Sequence, residues 1–388
     1  MIFKIIKRLN SDSNLYVIKI KTSQIDRQTS KFISQIRELY FGDIVDTSLS
    51  TKKPIQFKPI LNLQTTVEGL FFNDDKPKSL FHDELPDYLN ILNFHINNDC
   101  QQACTICTNS YKQFQCCYKG ESGKSELAIE DIKNMMTQIG NNSNLHKLNI
   151  LGGNIFLHTK LEDIVSYFNH IQVLKEYHFH FLNIQVRPTF FKMMEGNGNQ
   201  ITVTIHFPAD EDELAGKIKI LERYQLKNKL GFQFIVQREA DIKLAETLIS
   251  EFKLEKTQLA PFFNGENLDF FKDYVFLDRE SILEGKPQMN EILEHTVLNQ
   301  CDFKKFTVLS DKTVYANLNH PKIGELGKDH VMQIIYNELH KGKSWTKVRK
   351  NVNPCKSCVY NALCPPISNY EYAMGRYNLC EIRSQNSS

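Results

Sequence analysis

The stretch ILNFHINNDCQQACTIC, residues 91–107, joins an apolar, β-prone run to three closely spaced cysteines. Cys100, Cys104 and Cys107 have the spacing C-x3-C-x2-C and begin just after the run ILNFHI. Three neighbouring thiolates suit three irons of a cubane cluster, whose fourth iron then stays open for another ligand. A structural zinc site usually has four protein ligands, and this stretch lacks the fourth. The stretch therefore predicts a redox-active metal centre at the end of a strand.

Five further β-prone runs follow, with helical patterns between them. The runs cover residues 147–151, 177–186, 200–207, 230–236 and 257–263. The helical patterns cover residues 126–140, 160–175, 210–226 and 240–252. Strands that alternate with helices pair in parallel through right-handed crossovers, and six such units can curl into a barrel. We therefore predict an α/β fold with a partial (β/α)6 barrel over residues 88–265 and an active site at the carboxyl ends of its strands.

Three segments flank the predicted barrel. Residues 1–87 form a small N-terminal domain, with a strand predicted over 15–21 and a helix over 31–41. Residues 266–300 are predicted to be connecting helices. Residues 301–388 form a loop-rich, cysteine-rich domain in which a metal would supply the cohesion that a small core lacks.

Composition excludes several classes of protein. The chain has 388 residues and is 41% hydrophobic and 24% charged. Its net charge of +2 is too small to attract nucleic acid by overall positive charge. Lys4, Lys7 and Arg8 interrupt the N-terminal apolar residues, so no signal peptide is predicted. A run of about 18 apolar residues, as a membrane span needs, is absent from the sequence. We expect a cytoplasmic protein. Seven of its ten cysteines fall in two clusters, and in a reducing compartment clustered cysteines are metal ligands rather than disulfides.

A second group of cysteines lies near the C-terminus, after a candidate strand pair over residues 305–317. Cys355, Cys358 and Cys364 read C-x2-C-x5-C, and Cys380 follows after fifteen residues. Four thiolates make a closed site, which suits a fully ligated cluster or zinc equally well.

The first cysteine motif resembles that of the radical S-adenosylmethionine superfamily, which has the same spacing at the same place in a partial (β/α)6 barrel. The resemblance implies that the open iron of a [4Fe-4S] cluster chelates the methionine part of S-adenosylmethionine. It also implies that an electron cleaves this cofactor to a 5′-deoxyadenosyl radical, while the protein positions and shields it.

The resemblance extends to the end of the second strand. In the family this strand ends in Gly-Gly-Glu, which meets the methionine amino group, and here it ends in Gly152, Gly153 and Asn154. Glycines permit a close backbone approach to a ligand. Asn154 offers a carbonyl but not the charge of the usual acid. Ile106 stands where the family often has an aromatic residue, and it is predicted to cover adenine.

Other candidates at strand ends keep two interpretations each. Arg238 follows the fifth strand, where the family sometimes places a group near the cofactor carboxylate, although a solvated loop arginine is the favoured interpretation. His206 ends the fourth strand, where it approaches the ribose or is a polar barrel residue. His178 and His180 share one face of the third strand and either line a substrate cavity or are polar residues inside a barrel.

The C-terminal cysteines resemble the SPASM extension of radical peptide maturases, in which seven cysteines hold two auxiliary clusters. Cys301 matches the first of them, but Asn317 and Ser368 stand where two other ligands of the inner cluster belong. The set for the outer cluster is complete, so the resemblance implies one auxiliary [4Fe-4S] cluster at Cys355, Cys358, Cys364 and Cys380. The run from Cys364 to Cys380 is closest to the pseudo-radical-SAM/SPASM branch, whose members accompany small peptides with double-glycine leaders.

The resemblance implies an enzyme that modifies a ribosomally made precursor peptide, with an electron donor such as flavodoxin or ferredoxin. Residues 1–87 would then hold a small winged-helix element that grips a leader peptide by strand addition. Two rival hypotheses remain. One is a degenerate barrel that binds a peptide for another maturase, and the other is a structural protein stabilised by zinc. Cys116 and Cys117 are interpreted as free thiols or a loop accessory.

Overall fold

A nine-stranded mixed sheet forms the centre of the larger of two compact units. The computed structural model describes residues 4–10, 13–19, 89–102, 104, 106–110, 112–119, 123–140, 144–196, 198–224 and 226–381. The described residues from 89 to 286 and from 294 to 381 belong to one compact unit. A separate unit contains the hairpin of β1 (Lys4–Asn10) and β2 (Ser13–Lys19), which pair antiparallel.

Six consecutive strands of the sheet are parallel and neighbour one another in chain order. They are β3 (Ile91–His95), β4 (Lys147–Leu151), β5 (Leu174–His180), β6 (Asn199–His206), β7 (Leu230–Val236) and β8 (Thr257–Pro261). The six predicted strands are thus present, and their parallel pairing confirms the α/β class. Closure into a barrel remains a prediction.

Helices connect these strands. They are α1 (Cys107–Ser110), α2 (Ile129–Ile139), α3 (Leu161–Asn169), α4 (Pro188–Met193), α5 (Glu211–Glu222) and α6 (Glu239–Glu251). Acidic residues occupy the first turns of α2, α3, α5 and α6, where they favour the positive end of the helix dipole. The predicted helices therefore occupy the crossovers between strands.

The C-terminal part of the chain extends the same sheet. Three short helices come first, α7 (Leu268–Tyr274), α8 (Arg279–Glu284) and α9 (Met289–His295). Next, β9 (Lys305–Val308) pairs parallel with β3, and β10 (Thr313–Tyr315) and β11 (Gly324–Glu325) follow antiparallel. The predicted strand pair over 305–317 is present. Its attachment to β3 is a long-range contact that local pattern does not reveal. Helices α10 (Val331–His340) and α11 (Asn369–Met374) are the last two α-helices among the described residues.

Two boundaries differ from the sequence-based expectation. Strand β5 begins at Leu174 instead of residue 177, because its polar start has partners: the Lys175 ammonium donates to the Ile171 carbonyl at 3.1 Å, and Glu176 pairs with Lys147. After His180 the chain turns into a 3-10 helix, Phe181–Asn183, in place of further strand. The predicted strand over 15–21 overlaps β2. The predicted helix over 31–41 and most of the N-terminal domain lie outside the described residues.

The two faces of the parallel sheet differ in chemistry. Alternate residues such as Phe94, Ile150 and Phe179 pack with the covering helices into the main core, where the rings of Phe94 and Phe168 lie 5.9 Å apart. The opposite face carries buried polar side chains: Asn93, His95, Asn149, His178, His180, Thr204, His206 and Gln233. A sheet with only structural duties buries apolar groups on both faces, so this polar face points to a functional interior.

Hydrogen bonds order the polar face. The Asn149 side-chain amide donates to Asn93 Oδ1 at 2.7 Å, and the Gln115 side-chain amide donates to the same atom at 2.8 Å. Asn93 in turn donates to the Thr307 hydroxyl at 3.0 Å, which ties β3 to β9. Partnered amides of this kind are rigid, so the interior has a defined shape.

We predict that stability falls as pH rises through the range in which Glu338 ionises. Burial raises the pKa of this α10 carboxyl to about 7, although the amides of Ser344 and Trp345 donate to its Oε1 at 2.9 Å. Between pH 4.5 and 7 the unfolded chain loses this proton and the folded chain keeps it, so unfolding is favoured progressively and the loss, about 3 kcal/mol, is complete above pH 7. Urea titrations at several pH values measure this, and Glu338→Gln, which keeps the acceptor, should remove that part of the slope. An unchanged slope in this variant would contradict the assignment.

Candidate functional site

The predicted site residues lie at one edge of the parallel sheet. Cys100, Cys104 and Cys107 lie in the loop after β3 and at the start of α1. The segment from Gly152 to Asn154 follows β4, and His206 ends β6. Because the carboxyl ends of parallel strands share one edge, residues far apart in the sequence meet here.

Backbone amides donate to two of the three sulfur atoms. The Gln102 N–H donates to Cys100 Sγ at 3.4 Å, and the Lys119 N–H donates to Cys107 Sγ at 3.2 Å. Burial, followed by the nearby Cys117, raises the pKa of Cys107 to about 12. The thiol therefore keeps its proton until a metal displaces it, and the amides are then in place to stabilise the bound thiolate. This donor set fits an iron–sulfur cluster.

The glycines after β4 permit two chain segments to touch. A Cβ on Gly152 would lie 2.3 Å from Asn97 Oδ1, and one on Gly153 would lie 2.2 Å from the Asp99 carbonyl oxygen. The Gly153 N–H donates to the Asn97 carbonyl at 3.0 Å, and the Asn154 N–H donates to the Asp99 carbonyl at 2.6 Å. The loop that leads to Cys100 is thus held against the end of β4. The sequence-based expectation gives these glycines a contact with a ligand and does not include this contact with the protein's own backbone.

Gly153→Ala is expected to destabilise the protein by about 1–3 kcal/mol, because the new methyl group meets backbone that cannot rotate away. Gly216→Ala is the matched control. It lies in α5, where a Cβ meets no described atom within 4 Å, and it should stabilise by about 0.5–1 kcal/mol. Thermal unfolding of both variants checks the prediction, and equal melting temperatures for the two would contradict it.

Asn154 has a local structural role. Its side-chain oxygen accepts the Phe156 N–H at 3.1 Å and so caps the 3-10 helix Ile155–Leu157. Its backbone oxygen accepts the Asn97 side-chain amide at 2.8 Å. The residue is 1% exposed. Its Oδ1, the atom predicted to accept a hydrogen bond from the cofactor's ammonium, already accepts one from Phe156.

The remaining predicted residues have different surroundings. Ile106 packs in a small cluster with Ile235 and Phe262 at the ends of β7 and β8. Arg238 is 72% exposed and donates to Asp241 Oδ1 at 2.9 Å, as the interpretation of a solvated loop arginine expects. The sheet therefore brings Ile106 to the same edge as the cysteines and leaves Arg238 at the surface.

The structure brings three further residues to the site. They are Cys116 and Cys117, which the sequence did not assign to it, and His180, for which lining a substrate cavity is one of two interpretations. Cys116 and Cys117 are buried, with their sulfurs 3.7 Å apart, and the Cys107 thiol lies 3.8 Å from the Cys117 carbonyl. Cys116 Sγ lies 3.6 Å from His206 Nε2. The His180 ring lies 4.9 Å from the His206 ring, and burial followed by His206 lowers the pKa of His180 to about 3. Cys117, ten residues after Cys107 and adjacent to Cys116, was the only sequence signal for the contact between Cys107 and Cys117.

The four C-terminal thiols lie in one neighbourhood. Burial raises the pKa of Cys364 to about 11, with smaller contributions from Cys380, Cys355 and Cys358 that oppose the effect of Arg349. Arg349 Nη1 lies 3.7 Å from Cys355 Sγ. A cluster of thiols beside a buried guanidinium fits a group whose ligands are anionic sulfurs.

The chain is similar in fold to SuiB from Streptococcus suis. SuiB bound to S-adenosylmethionine superposes with a TM-score of 0.54 at 12% identity, over 76% of this chain and 78% of that one. SuiB bound to the precursor peptide SuiA gives 0.54 at 10% identity, over 93% and 88%. At these identities the comparison establishes the fold alone.

Sequence comparisons give no further assignment, since no protein-family model and no curated protein matches the chain. Among the described residues, no helix is both long and apolar enough to cross a membrane.

Proposed function

We propose that this protein is a radical S-adenosylmethionine enzyme that modifies a ribosomally made peptide. The observation that carries the proposal is the loop of Cys100, Cys104 and Cys107 at the carboxyl ends of parallel strands, on a fold similar to SuiB. Structures of SuiB hold S-adenosylmethionine in one case and the precursor peptide SuiA in another, and both ligands are proposed here as classes.

The three cysteines would hold a [4Fe-4S] cluster. When bound, this cluster supplies the electron that cleaves S-adenosylmethionine to a 5′-deoxyadenosyl radical. The Gln102 and Lys119 amides support two of the sulfurs. Gly152 and Gly153 hold the cysteine loop against β4. They would also expose backbone to the cofactor, and Ile106 would contribute an apolar wall.

The remaining cofactor contacts follow from position. Asn154 would accept a hydrogen bond from the cofactor's amino group through the second lone pair of its oxygen. His206 would lie near the ribose, and Arg238 near the carboxylate after leaving its exposed pair with Asp241. The polar face of the sheet would form the cavity that excludes bulk water around the reacting groups.

Peptide and electrons would enter through other parts of the chain. Residues 1–87 would recognise the leader peptide, and a flavodoxin or ferredoxin would reduce the cluster. Cys355, Cys358, Cys364 and Cys380 would hold one auxiliary [4Fe-4S] cluster, which would supply a second centre for electron transfer. Asn317 stands where the resemblance expects a ligand of a second auxiliary cluster. Its side chain donates hydrogen bonds to Asp302 at 2.8 Å and to Asn369 at 2.7 Å instead.

Anaerobic incubation with dithionite and S-adenosylmethionine tests the proposal. The reconstituted full-length chain should release 5′-deoxyadenosine and contain about eight irons, as two cubanes require. A fully loaded protein that forms no 5′-deoxyadenosine would refute the enzymatic proposal.

Asn154 favours a second candidate, a degenerate iron–sulfur protein that binds a peptide for another maturase. A neutral side chain already engaged as a cap grips an ammonium less strongly than a carboxylate does. Asn154→Glu discriminates the two. If the natural chain is degenerate, this variant should bind S-adenosylmethionine more tightly, whereas a working site that depends on the cap should lose affinity.

A further inference from the structure

A second set of metal-binding atoms lies at the carboxyl ends of β5 and β6. Cys104, His180 and His206 each place one donor atom within 4.8 Å of the other two. His180 ends β5, His206 ends β6 and Cys104 comes from the loop after β3, so the sheet creates the group. One thiolate with two imidazoles is a donor set suited to Zn²⁺ and similar divalent ions.

Each of the two histidines has one buried ring nitrogen without a hydrogen-bond partner in the described part of the chain. His180 Nε2 and His206 Nδ1 are buried and have no hydrogen-bond partner among the described residues. The side chains are 2% and 8% exposed, respectively. Buried polar atoms are nearly always satisfied, so these two nitrogens point to a bound group that completes them.

The spacing suits a single ion. Zinc bonds of about 2.0–2.3 Å put tetrahedral nitrogen and sulfur ligands about 3.3–3.6 Å apart, and side-chain movements of about 1 Å would close the observed group onto an ion. Ligation through His180 Nε2 places the ring proton on Nδ1, which now accepts the Leu182 N–H at 3.3 Å. Binding therefore costs this one long hydrogen bond.

We propose that Cys104, His180 and His206 bind one Zn²⁺-class ion whose fourth position is open to water or another ligand. Cys116 touches His206 alone of the three and is left outside the set. Because Cys104 also belongs to the proposed cluster triad, the ion and a cluster held by all three cysteines exclude each other. The inference goes beyond the proposed function and does not depend on it.

Cobalt titration of the full-length chain tests this site. The protein is stripped of metal under anaerobic conditions, in a Cys355→Ser/Cys358→Ser background that disables the tail thiols, and Co²⁺ alone is added. One ion should bind with the visible ligand-field bands of a tetrahedral site. His180→Ala/His206→Ala should weaken binding by more than about a hundredfold, the upper range for the loss of a mere supporting partner. His170→Ala, at an exposed position, is the control and should bind as the parent does.

Cobalt that binds the double histidine variant with the parent affinity and spectrum would sit on thiols alone and would overturn the proposal. A second readout uses protein in which Cys355 and Cys358 are unchanged, so that the C-terminal site can bind a cluster. Zinc-loaded protein given iron and sulfide should fill only the tail site, whereas the zinc-treated double histidine variant should fill both. Uptake of about eight irons by both proteins would also contradict the proposal, because zinc would then not have blocked the triad. A failure to cleave S-adenosylmethionine leaves both readouts intact, so it is distinguishable from a failure of this site.

Discussion

Cys104→Ala is expected to remove about four irons per chain and to reduce 5′-deoxyadenosine formation to background. The proposed cluster has only three protein ligands, so loss of one leaves two thiolates and an iron exposed to water. The cost falls on chemistry more than on folding, because Cys104 is only partly buried and the core lies on the other face of the sheet. Iron analysis and product assay on the same sample measure both effects.

Cys301→Ser is the matched control for this prediction. The residue lies outside both proposed ligand sets and is exposed as a whole, so iron content and turnover should match the parent protein. Turnover that survives in Cys104→Ala would contradict the assignment of the triad. In that case Cys104→Ala/Cys117→Ala would show whether Cys117, which lies against Cys107, had replaced the missing ligand.

Arg349→Met should lower the free energy of unfolding by about 3–5 kcal/mol, the usual cost of breaking a buried ion pair from one side. Arg349 Nη1 lies 2.7 Å from Glu371 Oε1, and the two side chains are 7% and 0% exposed. Burial alone would lower the pKa of Arg349, but Glu371 raises it, so the guanidinium stays charged. Without it, Glu371 is left as a buried carboxylate with no cation.

The same substitution should empty the tail metal site. Arg349 donates to the carbonyl oxygens of Pro365, Pro366 and Tyr377, and the Cys355 thiol donates to that same Tyr377 oxygen at 3.0 Å. One side chain therefore holds the segments that carry the four thiols. Urea unfolding and iron content of the reconstituted protein measure the two effects.

Lys350→Met provides the control for charge removal, because this neighbouring residue is exposed and should change stability by less than about 0.5 kcal/mol. The double variant Arg349→Met/Glu371→Leu should recover part of the lost stability, because no buried charge is left unpaired. A double variant as unstable as Arg349→Met alone would show that the carbonyl contacts, rather than the ion pair, carry the effect.

Local pattern in the sequence determined the fold class and the order of the strands. The runs 147–151 and 230–236 coincide with β4 and β7 because their apolar alternation and flanking turns are properties of neighbouring residues. The spacing of Cys100, Cys104 and Cys107 singled out the loop after β3 in the same way. The strands and the cysteine motif could be predicted because each of these patterns is contained in a short stretch of about ten residues.

Only the tertiary structure decided which distant residues meet at the carboxyl edge of the sheet. The pairing of β9 with β3, the approach of Cys117 to Cys107 and the grouping of His180 and His206 with Cys104 all depend on strand register. Gly153 likewise has to be a glycine because its backbone lies against Asp99, fifty-four positions earlier in the chain. Parallel pairing brings carboxyl ends together whatever their separation along the chain, and sequence periodicity carries no record of that distance.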